Sequence, residues 1–225
     1  MPSTPRAYTD SGERMGLLNA FKLRLNTLGI VLIPVCIAID WAGRSIDKAL
    51  QLPLFLDSIG TVLGGLLAGP WVGAISGFIA NFINAGTVDP IAAWYSIVSV
   101  GIGFAAGIAG YYGWQKRMPA GWIGLWLLVF LVASVLSTPL NIGLFSGQSG
   151  VWFGDGIYTA LVKSHVPTWI ASYLDEASVD IFDKLIAVLV AVLIYQGLPR
   201  RYRSLFRMYR PADDESEEAR RPVRA

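Results

Sequence analysis

Three stretches of this 225-residue chain carry no formally charged side chain: 31 residues between Asp57 and Asp89, 26 between Asp89 and Lys116, and 37 between Arg117 and Asp155. A helix needs roughly 20 mainly apolar residues to cross the hydrocarbon core of a bilayer, so each gap can hold at least one span. Composition agrees, with 54% of residues hydrophobic and only 15% charged, where a soluble domain carries about a quarter charged. Six candidate spans follow, at about 26–43, 55–68, 71–85, 91–113, 121–145 and 177–198. The second and third are short and separated only by Gly69-Pro70, which reads as a sharp helical hairpin. Asp40 and Trp41 stand where the small residues of a cleavage site belong, so the first segment is expected to remain as a span.

Lys and Arg counts set the expected orientation. With six spans and an inner N-terminus, 14 of the 18 cations fall inside: Arg6, Arg14, Lys22, Arg24, Lys116, Arg117 and the eight arginines from Arg200 onward. Arg44, Lys48, Lys163 and Lys184 are left in the outer half. The positive-inside rule favours this arrangement. The expected fold is an all-α integral membrane protein of about six transmembrane helices, with both termini cytoplasmic. Its parts are a disordered N-terminal tail (1–17), a six-helix membrane domain (18–200), and a basic then acidic cytoplasmic tail (201–225). In that tail RRYRSLFRMYR suits an interface with anionic headgroups, and the acidic run 213–218 suits disorder.

Several function classes drop out. The net charge of +2 and the scattered cations give no nucleic-acid footprint. A single cysteine, Cys36, excludes an internal disulfide, and a single histidine, His165, excludes a multi-histidine metal centre. No phosphate-binding loop, nucleophile elbow or H-E-x-x-H pair is present. No enzyme activity, resident metal or cofactor is expected. The halves show no obvious repeat of the kind many secondary transporters carry.

Polar residues in the outer half carry the functional signal. The last span opens with Asp175, Glu176, Asp180, Asp183 and Lys184 before an apolar run from Leu185 to Tyr195. Glu176, Asp180 and Lys184 share one helix face, with Asp183 adjacent. Ionisable groups at this depth usually face an interior cavity, although acids at a helix N-terminus also complement its dipole. The connection 146–174 is the longest and brings Trp152, Asp155 and Tyr158 among glycines. Asn84, Asp89, Trp94 and Tyr95 lie on or beside another outer loop, and Asn141 is a polar group inside the fifth span. Aromatic faces interleaved with a few polar groups suit a small, flat, nitrogen-containing ring. An interfacial aromatic belt is the competing account of the same tryptophans. Small residues recur at helical spacing in Gly69, Gly73, Gly77, with Asn81 next on that face; in Ser99, Gly103, Gly107; and in Pro34, Ala38, Ala42. Such ridges serve internal helix packing or a docking partner.

The segment LDSIGTVLGGLLAGPWVGAISGFIANFI, Leu56 to Ile83, resembles the second and third helices of the substrate-binding S components of energy-coupling factor transporters. The closing DIFDKLIAVLVAVLIYQGLP, Asp180 to Pro199, is similar to that family's sixth helix, and the likeness covers roughly 18–200. The resemblance implies a capture subunit of a vitamin importer in a prokaryotic cytoplasmic membrane, working with a membrane coupling protein and two cytoplasmic ATPases. Its ligand would be a ring compound such as riboflavin, thiamine or a precursor. The family's Ala-x-x-x-Ala contact is matched by Ala38 and Ala42, and Gly69, Gly73 and Gly77 are the other candidate contact. A ligand-binding membrane sensor without transport is the alternative. An intramembrane enzyme would have to rely on Asp180 with Asp183.

Overall fold

The computed structural model describes residues 27–206. The expected loose segment 1–17 and the tail beyond 206 lie outside the described residues. Within them the chain is helical, with no strand. In order come α1 (Thr27–Leu50), α2 (Ile59–Ala68), α3 (Pro70–Thr87), a 3-10 turn (Pro90–Tyr95) leading into α4 (Ser96–Tyr111), and a short 3-10 turn (Trp114–Lys116). Then follow α5 (Ala120–Phe145), α6 (Trp152–Lys163), α7 (Thr168–Gly197) and the single turn α8 (Arg200–Arg203). Three stretches are long and apolar enough to cross a bilayer: Thr27–Leu50, Pro90–Tyr111 and Ala120–Phe145. The hairpin expected at Gly69-Pro70 joins α2 to α3, with Gly69 at φ 100° and Pro70 opening the next helix. Only glycine enters that backbone region without strain.

Two boundaries differ from the sequence reading. The connection 146–174 contains a helix of its own, α6, and the last helix begins at Thr168 rather than near 177. Asp175 and Glu176 read as a helix opening, but they sit inside α7 with hydrogen-bond partners across the bundle. Asp175 accepts from the Ser149 amide (3.0 Å) and hydroxyl (2.7 Å), and Glu176 accepts from Asn141 Nδ2 (2.8 Å). Tertiary partners let the helix run on through them.

The core joins α2, α4, α5 and α7 around Val62, Leu66, Ile102, Leu125, Val129 and Val192. The outer surface is just as apolar: Val31, Val35, Phe82, Ile97, Val135, Phe182 and Leu193 all face outward. Meanwhile Asp40, Arg44, Asp47, Asp89, Asp183 and Lys184 are buried. A large exposed apolar surface around a polar interior is the distribution that a lipid solvent selects.

Glycines set how closely the helices approach. A Cβ at Gly103 would fall on the backbone of Gly73 and Ala74, and one at Gly107 on Pro70. The ridge Gly69, Gly73, Gly77 is buried inside the chain, with Gly73 and Gly77 against α4. That face is therefore closed to an outside partner. Pro34, Ala38 and Ala42 remain exposed along α1. Gly103→Ala should lower the thermal unfolding midpoint in detergent, costing about 1–3 kcal/mol through backbone displacement. Gly143→Ala, where nothing lies within 4 Å of the added carbon, should be neutral or stabilising by up to ~1 kcal/mol.

Candidate functional site

A cavity of about 340 Å³ opens at the end of the bundle where α1 finishes and α4 begins. Its wall draws on α1, the connection from α1 to α2, α3, the 3-10 turn, α4, α5, the start of α6, and α7. That volume is within the range of small-molecule sites, about 300–1,000 Å³. Two charge networks hold the wall.

The first sits on α1. Arg44 and Asp47 are one turn apart and pair at 3.0 Å. Arg44 also pairs with Asp89 at the end of α3, and Lys48 reaches the same carboxylate at 3.0 Å. Burial alone would raise the Asp89 carboxyl, but the hydrogen bond from Lys48 and the charge of Arg44 outweigh it and hold the group below the usual carboxylate range. The 3-10 turn thus leaves α3 at a fixed angle.

The second sits on α7. Lys184 Nζ lies 2.6 Å from Asp183, 3.5 Å from Asp180 and 3.9 Å from Asp57. Asp183 Oδ1 also accepts from the backbone amides of Phe55 (3.0 Å) and Leu56 (2.7 Å). The connection between α1 and α2 is therefore pulled onto α7. There the Phe55 ring lies between Arg44 and Lys184, 5.4 and 5.6 Å from its centroid. A further carboxylate, Asp40, accepts from the amides of Gly60 (2.6 Å) and Thr61 (3.0 Å) and from the Thr61 hydroxyl (2.7 Å). It caps α2 from α1, because Ser58 provides no side-chain cap.

Of the twelve residues expected in a binding site, Asp89, Tyr95, Trp152, Glu176, Asp180 and Lys184 line this cavity. Asn141 and Asp183 stand behind the wall. Asn141 Nδ2 donates to Glu176 and its Oδ1 accepts the Tyr95 hydroxyl, while Asp183 anchors Lys184. Four do not reach it. Trp94 is 59% exposed and points away, since consecutive residues of a 3-10 turn project about 120° apart and Tyr95 takes the inward direction. Asn84 is buried elsewhere on α3. Asp155 accepts from the Gly150 amide, and Tyr158 donates to the Ser146 carbonyl, so both shape the α5–α6 connection. Trp152, 68% exposed, stands at the rim.

Sequence reasoning missed Arg44, Asp47, Lys48 and Asp57 as cavity residues, and Phe55 as an aromatic wall. Arg44 and Lys48 counted only towards topology. The available signal was the i, i+3 spacing of Arg44 and Asp47 near the end of a candidate span, where unpaired charge is costly.

Asp183→Ala should remove the anchor of Lys184 and of two backbone amides together, lowering stability by about 3–5 kcal/mol. Asp183→Asn, which keeps one acceptor, should cost less. Thermal unfolding in detergent reads both, and an unchanged midpoint for the alanine variant would contradict the network.

No family model, no curated protein and no solved structure matches the chain, which leaves the cavity's own chemistry to carry a functional reading.

Proposed function

We propose that this chain is the ligand-capture subunit of an energy-coupled importer for a vitamin or related micronutrient, embedded by about six helices in a prokaryotic cytoplasmic membrane with both termini inside. The observation that carries the reading is the walled cavity at one end of an apolar helix body, lined by polar groups interleaved with aromatic rings. Phe55, Tyr95 and Trp152 offer ring faces, while Asn81, Ser99, Ser137, Glu176 and Asp180 offer hydrogen-bonding groups. A few directional polar groups among apolar walls orient a small ring compound.

Further support comes from what the chain carries and what it lacks. The distribution of Lys and Arg favours an outer position for the cavity. The sequence has no phosphate-binding loop, and the resemblance to energy-coupling factor S components implies that ATP-driven accumulation belongs to a membrane coupling protein and two cytoplasmic ATPases. The exposed small-residue stripe Pro34, Ala38, Ala42 leaves α1 open to close helix contact with such a partner.

The purified chain should bind one member of a vitamin panel saturably, read by quenching of tryptophan fluorescence. Trp152→Ala should weaken that binding by about 5–10-fold, the loss of roughly 1 kcal/mol of ring contact. Vesicles holding this chain alone should show no ATP-driven uptake. Concentrative uptake driven by an ion gradient in those vesicles would overturn the reading.

A further inference from the structure

The cavity's three cations are all engaged. Arg44 is held by Asp47 and Asp89, Lys48 by Asp89, and Lys184 by Asp183 and Asp180. Each of the three thus has a carboxylate against it, although Arg44 Nε has no hydrogen-bond partner and Lys48 is half-exposed. The carboxylates of the wall are not matched in the same way, since five of them face three cations. The surplus is located. Glu176 is 2% exposed and is bound by the neutral amide of Asn141, with the Ser137 hydroxyl beside it. Among the described residues no cationic nitrogen lies within 4.0 Å of it.

Two further acceptors on the same cavity are incomplete. Asp180 Oδ2 takes the Ser134 hydroxyl at 2.9 Å, while its Oδ1 has the Lys184 ammonium at 3.5 Å but receives no hydrogen bond. Asn81 is 1% exposed and its Oδ1 has no partner, because Nδ2 is committed to the Gly77 carbonyl (2.9 Å) and the Ser99 hydroxyl (2.7 Å). A carbonyl only accepts, so the Gly77 contact fixes which end of the amide is left over. Buried acceptors without donors are costly to leave so. Glu176 and Asp180 are one turn apart on one face of α7, with Asn81 on α3 lining the same space.

We infer that the cavity takes a cation: a planar nitrogen group with several N–H donors, of amidinium, guanidinium or protonated aminoheterocycle type. Its charged end sits against Glu176 and Asp180 and gives one N–H to Asn81 Oδ1. Planar forks of donors match carboxylate geometry, and charge-assisted bonds of this kind are the strong ones in a dry site. The Tyr95 ring, held beside Glu176 through Asn141, supplies a face for the same cation. This inference rests on the capture reading and narrows its ligand by charge.

The test uses three isosteric probes on the full-length chain in detergent: benzamidinium, benzamide and benzoate, followed by tryptophan fluorescence and calorimetry. Benzamidinium should bind at least about ten-fold tighter than benzamide, with no saturable binding of benzoate. Glu176→Gln keeps an acceptor for Asn141 and should erase the preference for benzamidinium over benzamide while leaving the unfolding midpoint unchanged or higher. Asp180→Asn should reduce the same ratio and stands in if the first variant does not fold. Equal or tighter binding of benzamide or benzoate, binding of none of the three, or a preference that survives Glu176→Gln overturns the inference. Saturable binding of a neutral or anionic vitamin by the native chain overturns the cationic ligand and leaves capture standing, whereas no saturable binding across the vitamin panel overturns capture itself.

Discussion

A lysine ammonium surrounded by apolar helices is tolerable only with a carboxylate against it, and Lys184 has its partner in the preceding residue. Neighbours in sequence point about 100° apart on a helix, so Asp183 can turn one oxygen to Lys184 and offer the other sideways. That second oxygen takes the amides of Phe55 and Leu56. The connection from α1 to α2 is thereby fixed across a sequence distance of more than 120 residues, and the cavity gains Leu54, Phe55 and Asp57 as wall. Once that connection is held, α2 begins where Asp40 can cap it, and its short apolar body drops into the core between α4 and α7.

The body is tight at one end and open at the other for a related reason. Along α4, Ser99 and Ile102 face the cavity, while Gly103 and Gly107 meet the backbones of α3 and its opening proline. Where side chains vanish, the helices close and dispersion holds them, which is the main adhesive available in lipid. Where long charged chains from α1 and α7 meet, the helices stand apart and the gap is lined with hydrogen-bonding groups. A cavity at a defined depth therefore needs no special loop; it follows from placing glycines on one stretch of a helix and polar residues on the next.

Much of this was legible beforehand. Charge-free stretches located the apolar helices, Gly69-Pro70 gave the hairpin, and the i, i+4 spacing of Glu176, Asp180 and Lys184 put three of the cavity's lining residues on one face. What escaped notice depends on partners far away in the chain. Arg44 looks like a boundary cation until Asp89, 45 residues on, is brought beside it. Asp40 looks like a flaw in a span until Gly60 and Thr61 present their amides. Glycines and polar groups made 146–174 read as a loop, yet Asp155 and Tyr158 are spent on fixing the turn that leads into and packs α6. Trp94 and Tyr95, adjacent and equally aromatic, part company because the turn that carries them has a period near three.

The buried acids of α1 and α7 fall into two kinds, and the division bears on what the cavity is for. Asp40 accepts three hydrogen bonds, Asp183 three and Asp175 two, each from groups of this chain. These acids are structural, and their geometry is complete. Glu176 and Asp180, in the same helix and as deeply buried, are less complete: among the described residues no cationic nitrogen lies within 4.0 Å of Glu176, and one oxygen of Asp180 has the Lys184 ammonium at 3.5 Å but no hydrogen bond. Asn84, Gln115, Ser58 and Ser172 also leave polar atoms unpartnered, as does Arg44 Nε on the cavity wall; the first four are neutral, and a neutral orphan costs far less than a charged one. A fold that satisfies Asp175 on one side and Asp183 on the other has the means to satisfy two residues between them. Local rules broken on a cavity wall mark a site where something else completes the set, and for Glu176, Asp180 and Asn81 the missing members are donors.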